Sequence, residues 1–392
     1  MVDLGHQPPS NSFLTEDQLN EPETYYPLKV YVCEKCFLVQ LPESKKVSEI
    51  FNETYPYYSS QSPANVQHAK EYVEMMVKRF GFNRDSRIIE IGSNDGYLLQ
   101  WFKKKGCKVL GFEPASGPGL EAEKSGIPTL GEFWGKKIAS EALHKYNLIC
   151  GINVLNHQPD LNDFVEGLPI HLAPTGVITF EFPHLMKMVE GVQFDTIYHE
   201  HLNYFSFTTI CNIFKAHGLE VFDVDEIPEH GGSLRIYAQH DHGNQIVGPG
   251  VFELRDREWQ QDMRELDYYQ GFQRHVDAIK TDLVRFLFDA QRAEKIVVGY
   301  GAAAKGNTLL NYCKIGSEQV ICIVDRSPHK QELYLPGSHI KVVDERSGIR
   351  IIKPDYILIL AWNLKEEIVK QLDYTREWEC KFVIPIPKLE VI

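Results

Sequence analysis

Apolar positions along the chain fall into two series of short buried runs alternating with amphipathic stretches, joined by a charged segment. Residues 65–80 (NVQHAKEYVEMMVKRF) carry apolar side chains at helical spacing and predict an amphipathic helix. Strand-like runs RIIEIG, KVLGFEP, IPTLGE, NLICGINVLNH and GVITFEFP follow, with helical stretches YLLQWFKKKG, GPGLEAEKSG and 161–171 between them. This strand-helix order predicts a doubly wound α/β sheet, which SLRIYAQ at 233–239 would close as a late strand.

Residues 251–292 lack proline and read as a long helical connector. A second β-α-β series then begins with KIVVGYGAAAKGNTLLNYC, continues through VICIVDRSP and ends in DYILILAWN with the helix LKEEIVKQL. Residues 1–60 are irregular apart from one hairpin, LKVYVCEKCFLVQL, with Cys33 and Cys36 at its turn. The expected division is a zinc-knuckle-like segment at 1–62, a first Rossmann-like domain at 63–250, and a connector with a second Rossmann-like domain at 251–392.

A chain of 392 residues with 43% hydrophobic and 24% charged residues reads as a soluble protein of more than one domain. It shows neither a run long enough to span a membrane nor a signal-peptide pattern, so the expected compartment is the cytoplasm. A net charge of -13 argues against nucleic acid as main partner, because phosphate binding needs a basic face. Six of the eight cysteines (Cys107, Cys150, Cys211, Cys313, Cys322, Cys380) sit in apolar surroundings and read as buried thiols. Cys33 and Cys36 are the candidate metal ligands. A structural zinc needs four ligands, usually from two such pairs. With one pair in this sequence, a truncated start, substitution by His6 and no bound metal all stay open.

The segment IIEIGSNDGYLL carries the first candidate site: a buried strand, a turn holding Gly92 and Gly96, then a helix. A dinucleotide turn would show G-x-G-x-x-G for its pyrophosphate, whereas here the pattern is E-x-G-x-x-x-G, with Glu90, Asn94 and Asp95 in or beside the turn. Carbonyls and carboxylates suit a ligand with an ammonium group and no phosphate, as S-adenosylmethionine is. The next strand ends at Glu113, 17 residues after Gly96, where a carboxylate can accept both ribose hydroxyls. Asn153 ends another strand of the same sheet, with His157 just beyond; ligands of such sheets lie at the carboxyl ends of strands. The bland alternative is a glycine turn beside a solvated acid.

Between the two sheet units lies FDTIYHEHLNYFS, with Tyr198, His199, Glu200 and His201 in succession and Asn203 beyond. On a helix Tyr198 and His201 would share a face; on a strand His199 and His201 would. Either way an imidazole near a carboxylate suits a general base, although a polar loop would carry the same residues. Tyr55 and Tyr57, in the aromatic segment ETYPYYSS, could roof such a site. In GYGAAAKG, Gly299, Gly301 and Lys305 read as a diphosphate cradle, with Asp325 at the next strand end able to meet a ribose.

The ordered set LGHQP, YPLKVYVCEKCFLVQL, YPYYSS, EIGSNDG, GFEPASG, YHEHLNYFS, HGGSLR, GYGAAAKG and LILAWN resembles the nucleotide-sugar C-methyltransferases over essentially the whole chain. That resemblance implies an N-terminal four-cysteine zinc module, a class I S-adenosylmethionine-dependent methyltransferase domain and a C-terminal Rossmann-like domain. It also implies methylation at C-3′ of a nucleotide-linked 4-keto-6-deoxy sugar. By resemblance the general base falls on His201, supported by Tyr198, Glu200, His157 and Tyr55. Cofactor contacts fall on Glu90, Gly92, Asn94, Asp95, Gly96, Glu113 and Asn153. Substrate contacts fall on Tyr57, Asn203, Gly299, Gly301 and Lys305. The first cysteine pair of the family's zinc module has no counterpart here. The chemistry needs a base for the carbon acid and donors, His157 among them, aimed at the developing oxyanion, with His201 oriented by Glu200 or a tyrosine. O- or N-methylation and NAD(H) binding by the second glycine turn are the competing readings. The oligomeric state is left open.

Overall fold

A computed structural model describes residues 1–53, 55–141 and 144–392. Its centre is a seven-stranded sheet. In spatial order the strands are Leu219–Ile227, Ser233–His240, Leu172–Pro183, Tyr146–Ile152, Arg87–Ile91, Lys108–Phe112 and Thr129–Leu130. All pairings are parallel except the two made by Ser233–His240. Chain order reverses beside Arg87–Ile91, so a crevice opens between its carboxyl end and that of Tyr146–Ile152, the position where open α/β sheets bind ligands.

The expected amphipathic helix is Pro63–Phe80. The Ser62 hydroxyl accepts from the Asn65 amide, proline sits at its start, and Gly81 ends it in the left-handed conformation. Its buried face (Ala69, Tyr72, Val73, Met76) packs with Phe102 and Ile88 of the central sheet unit.

Four expectations change. The strand Leu219–Ile227 is absent from the hydrophobic pattern because acids at 220, 223, 225 and 226 interrupt it, yet it pairs with Ser233–His240 along its length, with one bulge at Phe222. The YHEH segment therefore lies inside the central sheet's chain path, between Leu172–Pro183 and Leu219–Ile227, not between two sheet units. The connector is three helices, Pro249–Gln260, Leu266–Gln270 and Phe272–Arg292, broken where Asp262 adopts a φ of 56°. Among the six scattered thiols, five are buried and Cys211 is half-exposed.

The second sheet has the order Val342–Val343, Ile323–Val324, Val297–Tyr300, Tyr356–Ile359, Lys381–Ile384, Glu390–Val391, parallel except for the last strand. A small antiparallel sheet joins Val2–Gln7, Tyr26–Val32 and Val39–Gln40 to Asn203–Tyr204, the residues just after YHEH. That pairing anchors the candidate reaction centre to the N-terminal segment. Among the described residues no helix is long and apolar enough to cross a membrane.

Candidate active site

The turn after Arg87–Ile91 holds Gly92, Asn94 and Gly96 at φ values of 71°, 49° and 77°. At Gly96 a side chain would meet Ile127 at 2.9 Å, so both conformation and space require glycine. The Glu113 carboxylate bridges this turn to its own strand end, accepting from the backbone N–H of Asn94 at 2.9 Å and of Ala115 at 2.8 Å. Burial pushes Glu113 up to about 7 despite those donors. Glu90 is fully buried with neither carboxylate oxygen partnered, and burial, with Asp95 and Glu113 nearby, holds it well above the carboxylate range. Asp95 Oδ1 and Asn153 Oδ1 are likewise buried without partners.

A cover lies over this turn. Asn94 accepts from the Ser59 amide at 2.7 Å and donates to the Tyr57 carbonyl at 3.1 Å, while Asp95 accepts from the Ser60 amide at 3.1 Å. Tyr57 thus meets the glycine turn through its backbone; its side chain is 42% exposed and its hydroxyl accepts from Asn65. Tyr55 packs on Phe51 and lies within electrostatic reach of Glu200, Tyr198 and Glu113, which places it between the turn and the YHEH segment.

Residues 198–201 form a turn in which the His201 amide bonds the Tyr198 carbonyl at 2.9 Å, so Tyr198 and His201 share a face, the helical alternative. His201 Nδ1 meets the Thr196 carbonyl at 2.9 Å. A carbonyl only accepts, so Nδ1 carries the proton and Nε2 is the bare nitrogen. The Tyr198 hydroxyl donates to that Nε2 at 2.6 Å. Burial, then His157, hold His201 well below the usual histidine range, so the ring is neutral. His157, its ring 4.9 Å from His201, donates Nδ1–H to the Glu200 carbonyl at 2.7 Å. Burial lowers His157 to about 4.

Two expected roles change with this geometry. Glu200 does not orient His201: its carboxylate accepts from Asn11 at 2.6 Å and burial raises it to about 7, while Thr196 and Tyr198 hold the imidazole. His157 cannot donate to an oxyanion while neutral, because its one N–H is committed to the Glu200 carbonyl. His199 faces the N-terminal sheet, near the Tyr26 carbonyl and ring.

The more distant candidates separate. Asn203 donates to the Gln158 carbonyl at 2.7 Å inside the small sheet. Gly299 lies within a strand, where a side chain would meet Ile323 at 2.4 Å. Its N–H and that of Gly301 donate to the Cys322 and Val324 carbonyls, so neither is free for a phosphate. Lys305 is turned into the domain junction, bonded to Asn363 and 4.8 Å over the Trp362 ring, and burial lowers it to about 8. Asp325 repeats the Glu113 device, accepting from the Ala302 and Ser327 amides at 2.7 and 2.8 Å.

Comparison with known proteins agrees with this arrangement. Family models match residues 1–51 ("Putative zinc binding domain"), 66–224 ("Methyltransferase domain") and 228–387 ("C-methyltransferase C-terminal domain"). The C-methyltransferase NovU of Streptomyces niveus is 31% identical over 395 residues, covering 100% of this chain and 94% of that protein. The chain belongs to the C-methyltransferase family. It is an S-adenosylmethionine-dependent methyltransferase. Among solved structures, magnesium protoporphyrin IX methyltransferase from Synechocystis PCC 6803 is similar at 13% identity and a TM-score of 0.35, covering 44% of this chain and 78% of that one. An S-adenosylmethionine-dependent methyltransferase from Mesorhizobium loti is similar at 15% identity and a TM-score of 0.36, covering 44% and 99%.

The methyltransferase's crevice suits its methyl donor. The glycine turn lets a nucleoside approach the backbone, and the unpartnered oxygens of Glu90, Asp95 and Asn153 supply acceptors for a cationic ligand without phosphate. The zinc module fits less well. At the hairpin turn the Cys33 amide bonds the Leu38 carbonyl, Phe37 sits at φ 58°, and the amides of Cys36 and Lys35 lower the Cys33 thiol, as a metal-binding turn requires. Yet no group of three His, Cys, Asp or Glu able to hold a metal occurs among the described residues. His6 pairs with Pro27, at the far end of the strand that runs to Val32, roughly 20 Å from Cys33 at ~3.3 Å per residue. It does not complete a site.

Several residues of the crevice escaped the sequence reading. Asp195 is buried, raised to about 6, and accepts from the Trp362 indole at 2.7 Å, joining the YHEH segment to the C-terminal sheet. His68, between Glu181 at 2.6 Å and Glu229 at 2.9 Å, is raised to about 9 although burial opposes it, and Arg235 meets the other Glu181 oxygen at 2.6 Å. Asn153 and His230 meet at 2.8 Å. The available signals were a carboxylate inside the apolar run ITFEFP and the H-G-G triplet.

Proposed function

We propose that this methyltransferase acts on C-3′ of a nucleotide-linked 4-keto-6-deoxy sugar through an enolate. The observation that carries the reading is the cluster of two neutral imidazoles, His201 and His157, and two half-buried phenols, Tyr198 and Tyr55, beside the glycine turn. A hydroxyl acceptor would use the base as well but has no oxyanion for a phenol to stabilise. The cluster suits a carbon acid, which needs a base and a donor to its developing oxyanion.

His201 Nε2 is the base. The Tyr198 proton covers its lone pair, and substrate displaces that phenol to bring the carbon acid to the nitrogen. The C–H bond breaks, the proton moves to the imidazole and the electron pair enters the enolate. Tyr55, kept protonated by burial, donates to the enolate oxygen. S-adenosylmethionine supplies an electrophilic methyl: the enolate carbon forms the new C–C bond as the C–S bond breaks, leaving S-adenosylhomocysteine. The imidazole then returns its proton to solvent. The charges of Lys45 and Lys330 reach Glu200, and cations there would suit a diphosphate on the sugar.

One specific observation favours a second assignment of the base. His157 Nε2 is bare and carries no phenol, so it competes with His201 for the role. The test is product analysis by mass spectrometry and NMR over a panel of nucleotide 4-keto sugars, with deuterium exchange in heavy water before the methyl donor is added. Methyl on C-3′ and exchange lost in His201→Asn supports the reading. Methyl on C-5′, also adjacent to the ketone, moves the position; methyl on oxygen overturns the reaction; exchange lost only in His157→Asn moves the base.

A further inference from the structure

We infer that His230 is a positioning residue that fixes the Asn153 side chain so that its free carbonyl oxygen receives the ammonium group of the methyl donor. The inference rests on the methyl-donor reading of the crevice and deepens it.

Glu113 and Asn153 end the strands on either side of Arg87–Ile91. Two strand spacings separate them, about 10 Å at ~4.8 Å per spacing. A nucleoside whose ribose meets Glu113 therefore extends its amino-acid arm across the central strand toward Asn153. There the Asn153 amide nitrogen is 2.8 Å from His230 Nε2, and Oδ1 is buried with no partner. An amide nitrogen only donates, so His230 must present a bare Nε2. Burial and the charge of Lys305 keep that ring neutral, lowering it to about 4. With the nitrogen held by His230, the oxygen is the face left for a ligand, and an acceptor suits a cation.

The backbone shows how firmly the pair is imposed. Asn153 and His230 are both non-glycine residues in the left-handed region, at φ 54° and 56°. Such a conformation persists in a non-glycine residue where the surroundings enforce it. Gly231 follows, where a side chain would meet Trp362 at 2.5 Å, so the loop is pressed against the C-terminal unit. Glu229, just before His230, has a second buried oxygen without a partner, and the Asn153 amide bonds the Glu181 carbonyl at 2.8 Å. Acceptors thus surround the arm's end, and one of them is aimed by an imidazole.

The test compares two ligands by calorimetry on the full chain: S-adenosylhomocysteine, which has the ammonium group, and 5′-methylthioadenosine, which lacks the amino-acid arm. His230→Ala should weaken the first by about tenfold or more and leave the second unchanged, since a hydrogen bond to a charged group is at stake. His230→Gln, which restores an acceptor, should recover most of the loss. Equal weakening of both ligands, or no change in either, overturns the inference. Wild-type protein that binds methylthioadenosine and S-adenosylhomocysteine equally also overturns it, whereas wild type that binds neither removes the methyl-donor reading beneath it.

Discussion

The Tyr198 hydroxyl covers the one bare nitrogen of His201, at 2.6 Å. With Nδ1 fixed on the Thr196 carbonyl, this contact settles the tautomer of the ring and leaves the phenol as the group to be moved before the imidazole can take a proton. Replacing Tyr198 and replacing His201 should therefore have different consequences. His201→Asn should lower kcat by about a hundredfold or more, the usual scale of general base catalysis, with methyl-donor binding intact. Tyr198→Phe should keep measurable turnover and alter KM for the acceptor. Steady-state kinetics with calorimetry of S-adenosylhomocysteine checks both.

The pH profile follows from burial. A base must be unprotonated, and both candidate rings are lowered below the ordinary histidine value, His157 to about 4. The acid limb of kcat/KM, which reports the free enzyme, should then lie well below pH 6.5. A limb centred at 6.5 or above would exclude a buried imidazole as base.

Glu113 links the turn to the second strand and stands where a ribose would bind. Glu113→Ala should weaken S-adenosylhomocysteine and methylthioadenosine alike, by about tenfold, because both carry the ribose. Calorimetry that finds only the homocysteine derivative affected would place the ribose elsewhere.

Glu200 is a carboxyl whose folded pKa, about 7, exceeds its unfolded value. The folded state then holds more protons than the unfolded one, so stability is present below the unfolded pKa and declines as pH rises toward 7. Glu200→Gln removes that decline. Melting curves from pH 4.5 to 7.5 should show wild type falling relative to the variant; parallel curves would mean that the carboxyl titrates normally.

The paired cysteines give the last prediction. With no third ligand assembled beside Cys33 and Cys36 among the described residues, the double change Cys33→Ser, Cys36→Ser should leave the melting temperature and the metal content of purified protein unchanged. One zinc per chain by elemental analysis, lost in the variant, would require a ligand from elsewhere.

Much of this protein was legible in one dimension. Alternating apolar runs gave both doubly wound sheets because helix and strand periods are local properties, and the turn at Gly92 and Gly96 was readable because its backbone tolerates few residues. The strand Leu219–Ile227 was hidden because its half-exposed face carries acids. Hydrogen-bond direction was beyond the sequence. YHEH names a tyrosine, an acid and two histidines, but which imidazole is bare, and which acid serves it, depends on carbonyls at Thr196 and Glu200 brought into range by the turn. The same holds for Gly299 and Gly301, whose N–H groups looked free in the motif and are taken up by the neighbouring strand. By itself the sequence determined the alternating elements of both sheets and the glycine turn, which local spacing sets, while the family of chemistry rested on the resemblance along the whole chain. The folded structure alone decided the proton inventory of the site, the joining of Asn153 to His230 and the burial that keeps the rings neutral, because these depend on the geometry of a turn and on groups far apart in the chain, as Asn153 and His230 are.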